Sequence, residues 1–160
     1  MNKLTKIFAL LIAVSAFVFA QSTTASVTAN VSATLTIIST QNLNLGNVAQ
    51  GGTVTVNGNA ATAARFTITG AGNAATTVTV TTPTDLTSGA NTLPFTAVNA
   101  YYGTTNAATP STSFGATTGG SANTNASGNL FVFVGGSVTA GASQAAGAYS
   151  GTITVAVTQP

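Results

Sequence analysis

The sequence predicts an all-β fold, an immunoglobulin-like antiparallel β-sandwich of seven to nine strands. Three observations carry that prediction. The chain is rich in Thr and Val, which favour strands, and in Gly and Asn, which favour the turns between them. Apolar and polar residues alternate with a period of two along several short stretches, the pattern of a strand with one face buried. Turn signals recur between those stretches, and no fixed repeat length emerges that would indicate a solenoid.

The elements follow in order. Lys3 and Lys6 precede an apolar run, Ile7–Ala20, that ends on Val18-Phe19-Ala20. A basic start, a short apolar stretch and small residues at its end make residues 1–20 a secretory signal peptide. The run falls short of the roughly 18 apolar residues of a membrane span. Residues 21–160 are then one domain, secreted to the extracellular space or cell surface, with no membrane span once the signal is removed.

The longest alternation is Val27–Ile37. Val27, Ala29, Val31, Ala33, Leu35 and Ile37 alternate with Thr28, Asn30, Ser32, Thr34 and Thr36. Such a strand completes its own sheet or reaches into that of a neighbour. Asn42–Val48 alternates again, with Gly46 as a break. Gly51-Gly52 turns the chain into Thr53–Val56, and Asn57-Gly58 is a hairpin signal. Arg65–Thr69 and Thr77–Thr81 are strands separated by a turn at Ala71–Ala75, and Pro83 ends the second. Leu93–Val98 follows, with Pro94 indicating an edge or a bulge. Residues 99–129 show no sustained periodicity and read as a long loop, with one short strand near Phe114. Leu130–Val134 is a dense apolar run, continued past Gly135-Gly136 by Ser137–Ala140. Tyr149–Thr158 closes the domain, with Tyr149, Ile153, Val155 and Val157 as its apolar set.

Charge and residue inventory narrow the function. The precursor has a net charge of +2 and a pI near 9.4, yet beyond residue 20 only Arg65 and Asp85 are charged. No basic patch is left for nucleic acid or an anionic membrane. Arg65 and Asp85 read as solvent-facing residues on adjacent strands, and a pair between them contributes under about 1 kcal/mol. There is no His, no Cys and no Glu. General acid–base chemistry needs a titratable group at the reacting proton, and Ser or Thr nucleophiles need an activating base. We therefore expect no enzyme, no catalytic residue, no cofactor and no metal site. Tyr101-Tyr102 read as packing over the sandwich end rather than as a sugar platform. Asn125-Ala126-Ser127 matches a glycosylation acceptor pattern by chance.

Several landmarks, taken together, resemble a known family. These are Leu35-Thr36-Ile37, Asn42-Leu43-Asn44-Leu45-Gly46, Arg65–Gly70, Val134-Gly135-Gly136-Ser137-Val138 and Gly147–Val155. In that order they are similar to a bacterial secreted domain of unknown function, of the 4402 type, itself similar to spore coat protein U and to chaperone–usher fimbrial subunits. The resemblance implies an extracellular filament or coat component. Val27, Ala29, Val31, Ala33, Leu35 and Ile37 would match a donor strand, and Tyr149, Ile153, Val155 and Val157 would line its acceptor. The implied partners are further copies of the chain, with a periplasmic chaperone or the export machinery beside them. The absence of cysteine and the ending Gln159-Pro160 depart from fimbrial subunits.

Edge chemistry points the same way. Soluble β proteins guard edge strands with charges, Pro or bulges, and this domain has two charged side chains. Its edges are expected to pair with other copies, a pilus-like use of strand addition. The alternative is a monomeric binding module, adhesin-like through residues 99–129 or ice-binding through Thr ladders. Thr-x-Thr occurs at Thr34/Thr36, Thr53/Thr55, Thr67/Thr69, Thr77/Thr79 and Thr152/Thr154.

Overall fold

A computed structural model describes residues 25, 26, 28, 29, 33–107, 109, 110 and 112–160. The signal-peptide assignment, Val27 and Val31 lie outside the described residues. Ser32–Pro160 cluster as one compact unit, distinct from Met1–Val31.

The fold is an antiparallel β-sandwich. Ten strands are described, β1 (Thr36–Gln41), β2 (Thr53–Val56), β3 (Ala64–Thr69), β4 (Ala75–Thr81), β5 (Asp85–Ser88), β6 (Asn91–Gly103), β7 (Thr112–Ser113), β8 (Gly119–Asn123), β9 (Asn129–Thr139) and β10 (Thr154–Thr158). The expected seven to nine rises to ten because β5 and β7 are too short to show a period. The larger sheet runs β1-β3-β9-β6-β5, with β2 added to the second half of β9 and β7 to the end of β6. The smaller sheet runs β10-β4-β8.

Between the sheets lies a core of Phe66, Ile68, Val78, Val80, Leu130, Val132 and Val134. Alternation explains it. On β4, Thr76, Val78 and Val80 are buried while the residues between them are exposed. Strand β9 departs from alternation because both its faces are covered. Phe133 points away from the inter-sheet core yet is fully buried. The Arg65 guanidinium lies 5.2 Å from its ring centroid, and Arg65 Nη1 donates to Asn106 Oδ1 at 3.1 Å. Arg65 is therefore a lid on an aromatic ring rather than a solvent-facing residue. Asp85 sits on β5, separated from β3 by β9 and β6, and accepts from the Thr84 hydroxyl at 3.1 Å.

Four sequence expectations are corrected. Among the described residues, the strand placed at Val27–Ile37 begins at Thr36, where β3 supplies a ladder from Thr69 onward; Thr28, Ala29, Ala33, Thr34 and Leu35 are outside any strand. The alternating Asn42–Val48 is not a strand. Asn44 Oδ1 accepts from the Gly46 amide at 2.9 Å, a local turn, while Leu43, Leu45 and Val48 lean on a second core of Leu93, Phe95, Val138 and Ala140. The long loop at 99–129 is largely structured: β6 continues to Gly103, and β8 pairs with β4. Strand β8 reads Gly-Gly-Ser-Ala-Asn, a composition of low strand propensity that tertiary packing overrides. The terminal strand is Thr154–Thr158, shorter than Tyr149–Thr158.

Candidate functional site: an open groove beside the terminal strand

Strand β10 is the element on which the site is built. It pairs with β4 in register Thr154↔Thr81 through Thr158↔Thr77, and among the described residues it has no ladder partner on its other side. Its inward residues Val155 and Val157 are half-buried, whereas their ladder partners Val80 and Val78 are 4% and 2% exposed. The contrast within one pair of strands locates the incomplete cover of the core.

An open groove of about 1050 Å³ lies at this side of the sandwich. One wall is Ser39 and Gln41 of β1 with the Asn42–Val48 segment; the other is Gly147–Ile153, leading into β10. Phe66, Leu93, Phe95 and Val138 form its floor. The volume lies at the upper end for a small-molecule pocket, and such pockets carry a few converging polar groups. Here the lining carries polar amide side chains, Gln41, Asn44 and Gln144 among them, and is uncharged throughout. The groove mouth is held by amide side chains. Gln144 Nε2 donates to Thr92 O at 2.9 Å and to the Tyr149 hydroxyl at 2.7 Å. That hydroxyl donates to Ala145 O at 2.7 Å.

The opposite end of β10 is closed by a polar clamp that no sequence pattern announces. The Gln159 side chain accepts from the Ala71 amide at 3.0 Å and donates to the Thr76 hydroxyl at 2.8 Å. Thr124 donates to Ala71 O at 2.6 Å and accepts from the Ala74 amide at 3.0 Å. Thr76 and Thr124 are 0% and 3% exposed, so each buried hydroxyl is satisfied. Gly70 gives Gln159 room, since a side chain there would meet its amide. Gly128 has φ +80 and packs on Gly70 O, a position suited to glycine.

The predicted site residues divide. Leu35, Ile37, Ile153, Val155 and Val157 come together against one core. Leu35 and Ile37 therefore belong to their own domain, while Ala29 and Ala33 are exposed. Tyr149 packs at the second core, away from β10. Tyr102 stacks on Phe114 with centroids 4.6 Å apart, so it serves packing. Asn125 is occupied: its Oδ1 accepts from the Ser127 and Asn129 amides at 3.0 and 2.9 Å, and its Nδ2 donates to Thr104 O at 2.9 Å. The Thr-x-Thr pairs fall on different sheets, with Thr53 and Thr55 on β2, and Thr77 and Thr79 on β4. Two of the hydroxyls bond across strands, Thr53 to Thr139 at 2.9 Å and Thr55 to Ser137 at 2.7 Å. Among the described residues no helix is long and apolar enough to cross a membrane.

No curated protein matches the chain. A family model does, over residues 18–158. That span takes in every strand of the sandwich, the groove walls and the segment before β1; the chain belongs to the family described as Domain of unknown function (DUF4402).

Proposed function

We propose that this protein is an exported structural subunit that builds a surface filament, coat or matrix by β-strand complementation. Each copy's N-terminal segment lies along the free edge of β10 in another copy. The one-sided pairing of β10, with Val155 and Val157 left half-buried beside an uncharged groove, is the observation that carries this reading.

An edge strand with free N–H and C=O groups recruits another strand unless charge, Pro or a bulge prevents it. Residues 149–158 contain none of those charges and no Pro. The candidate donor is equally bare: residues 21–32 are uncharged and place small apolar residues, Val27, Ala29 and Val31, at alternate positions. Side chains of that size suit a slot between walls that are already packed. Because Leu35 and Ile37 fill their own core, the donated part ends before them. Main-chain bonds would supply affinity and the alternate side chains register.

The role is non-catalytic on this reading, without cofactor or metal, and the partners are copies of the same chain delivered by the export route that residues 1–20 specify. Comparing the mature chain with a version lacking Gln21–Ser32 tests it. Light scattering after size exclusion and electron microscopy should show multimers or filaments for the first and monomers for the second. Identical large assemblies from both would rule out strand donation.

A further inference from the structure

The larger sheet ends on two outer strands that are finished differently. Strand β5 has four residues and opens on the charged Asp85, which follows Pro83 closely and stands opposite Pro94. Charge, Pro and shortness are the usual guards of a sheet edge. Strand β1 has six residues, none of them charged and none Pro. Among the described residues it pairs with β3 alone. Its register shift, between Ser39 and Gln41, lies at the end of the strand and leaves the run before it regular.

The outward side of β1 adds a second observation. Ile37 packs into the core between the sheets, so Thr36 and Ile38 face the opposite way. Ile38 is 58% exposed, and among the described residues it is the one large apolar side chain left in solvent. Thr36 and Thr40 flank it and are exposed as well. The pattern Thr-x-Ile-x-Thr reads the same in both directions about Ile38. Set antiparallel to a second copy of itself, it places Ile38 opposite Ile38 and Thr36 opposite Thr40, apolar and Thr–Thr pairs of the kind that stabilise sheets. The hydroxyls match too. Thr40 Oγ1 donates its proton to Arg65 O at 3.2 Å and keeps a lone pair, which the exposed Thr36 hydroxyl of the other copy can meet as donor.

We propose that β1 is a second interaction surface, on which two copies of this chain pair edge to edge about a two-fold axis through Ile38. The contact is isologous and joins the larger sheets of the two copies. Thr36–Thr40 is a short run beside the interfaces that hold stable dimers, so lone copies stay single when dilute. Repeated along an assembly, such contacts act together and hold neighbouring filaments or layers side by side. That use rests on the assembly reading above. The contact itself does not, because it needs no residue before Thr36.

The chain has no cysteine, so an introduced thiol reports on one position. Single variants I38C, T36C and T40C of the mature chain, with S121C on the other sheet as an exposed control, are oxidised at high protein concentration. Directly opposed residues have Cα atoms about 4.5–5.5 Å apart, within the reach of a disulfide. I38C should link to itself roughly ten-fold faster than S121C, because a held geometry replaces chance encounter. T36C and T40C should each link slowly alone and quickly when mixed. I38C no faster than S121C, or T36C as fast with itself as with T40C, overturns the contact. Light scattering of the reduced proteins reads strand donation separately. Multimers there with I38C unlinked remove this surface and leave donation standing, whereas fast linking of I38C in an otherwise monomeric protein keeps the surface and removes donation.

Discussion

The two ends of β10 are finished in opposite ways. At the Gln159 end, buried hydroxyls and a side-chain amide satisfy the turn between β3 and β4. At the Ile153 end, the chain runs for several residues beside an open groove, with one backbone bridge, Thr87↔Ser150, and Tyr149 packed on the second core and bonded to Gln144. A domain with two charged side chains tolerates a bare edge by this division. One end anchors the terminal strand so that the groove wall keeps its shape, and the other leaves that wall unpaired.

Disturbing the clamp should have the largest effect on the isolated domain. Thr124→Val strands the Ala74 amide and the Ala71 carbonyl in a buried site, at a cost of about 2–4 kcal/mol for two unpaired groups. Urea unfolding of the version without Gln21–Ser32 reads this as a lower midpoint at unchanged slope. Gln159→Ala should cost about 1–2 kcal/mol, because one amide and one hydroxyl lose partners. Gly70→Ala pushes on the same side chain, so the double variant G70A/Q159A should lose less than the two single losses added together. At the open end, Gln144→Ala removes one exposed and one part-buried hydrogen bond and should cost no more than about 1 kcal/mol. Ala156→Lys should change stability by no more than that, since Ala156 is exposed. It nevertheless places a guarding charge on the free edge, and multimers measured by light scattering should disappear.

Much of this division was legible in the sequence, and the reasons for the rest are specific. Alternation revealed β3 and β4, and the dense run Leu130–Val134 revealed β9, because burial of one or both faces writes itself into the chain. Ile153, Val155 and Val157 were legible as a terminal apolar set for the same reason. Alternation does not name a partner, however. Val27–Ile37 and Asn42–Val48 both alternate, yet among the described residues only the part from Thr36 meets a ladder, and Leu43 and Leu45 serve as a groove wall. The β8 stretch Gly119–Asn123 was hidden by its small polar residues. Gln159 was hidden because a single amide carries no pattern, and its role depends on a turn far away in the chain.

Hydrogen exchange across β10 reports strand addition residue by residue. The version lacking Gln21–Ser32 is exchanged alone and with a peptide of sequence Gln21–Thr34 in excess. Amides between Ile153 and Thr158 on the free edge should slow strongly when the peptide is added, while those at Ala71 and Ala74 stay as protected as before. Unchanged exchange along Ile153–Thr158 at saturating peptide would contradict strand addition.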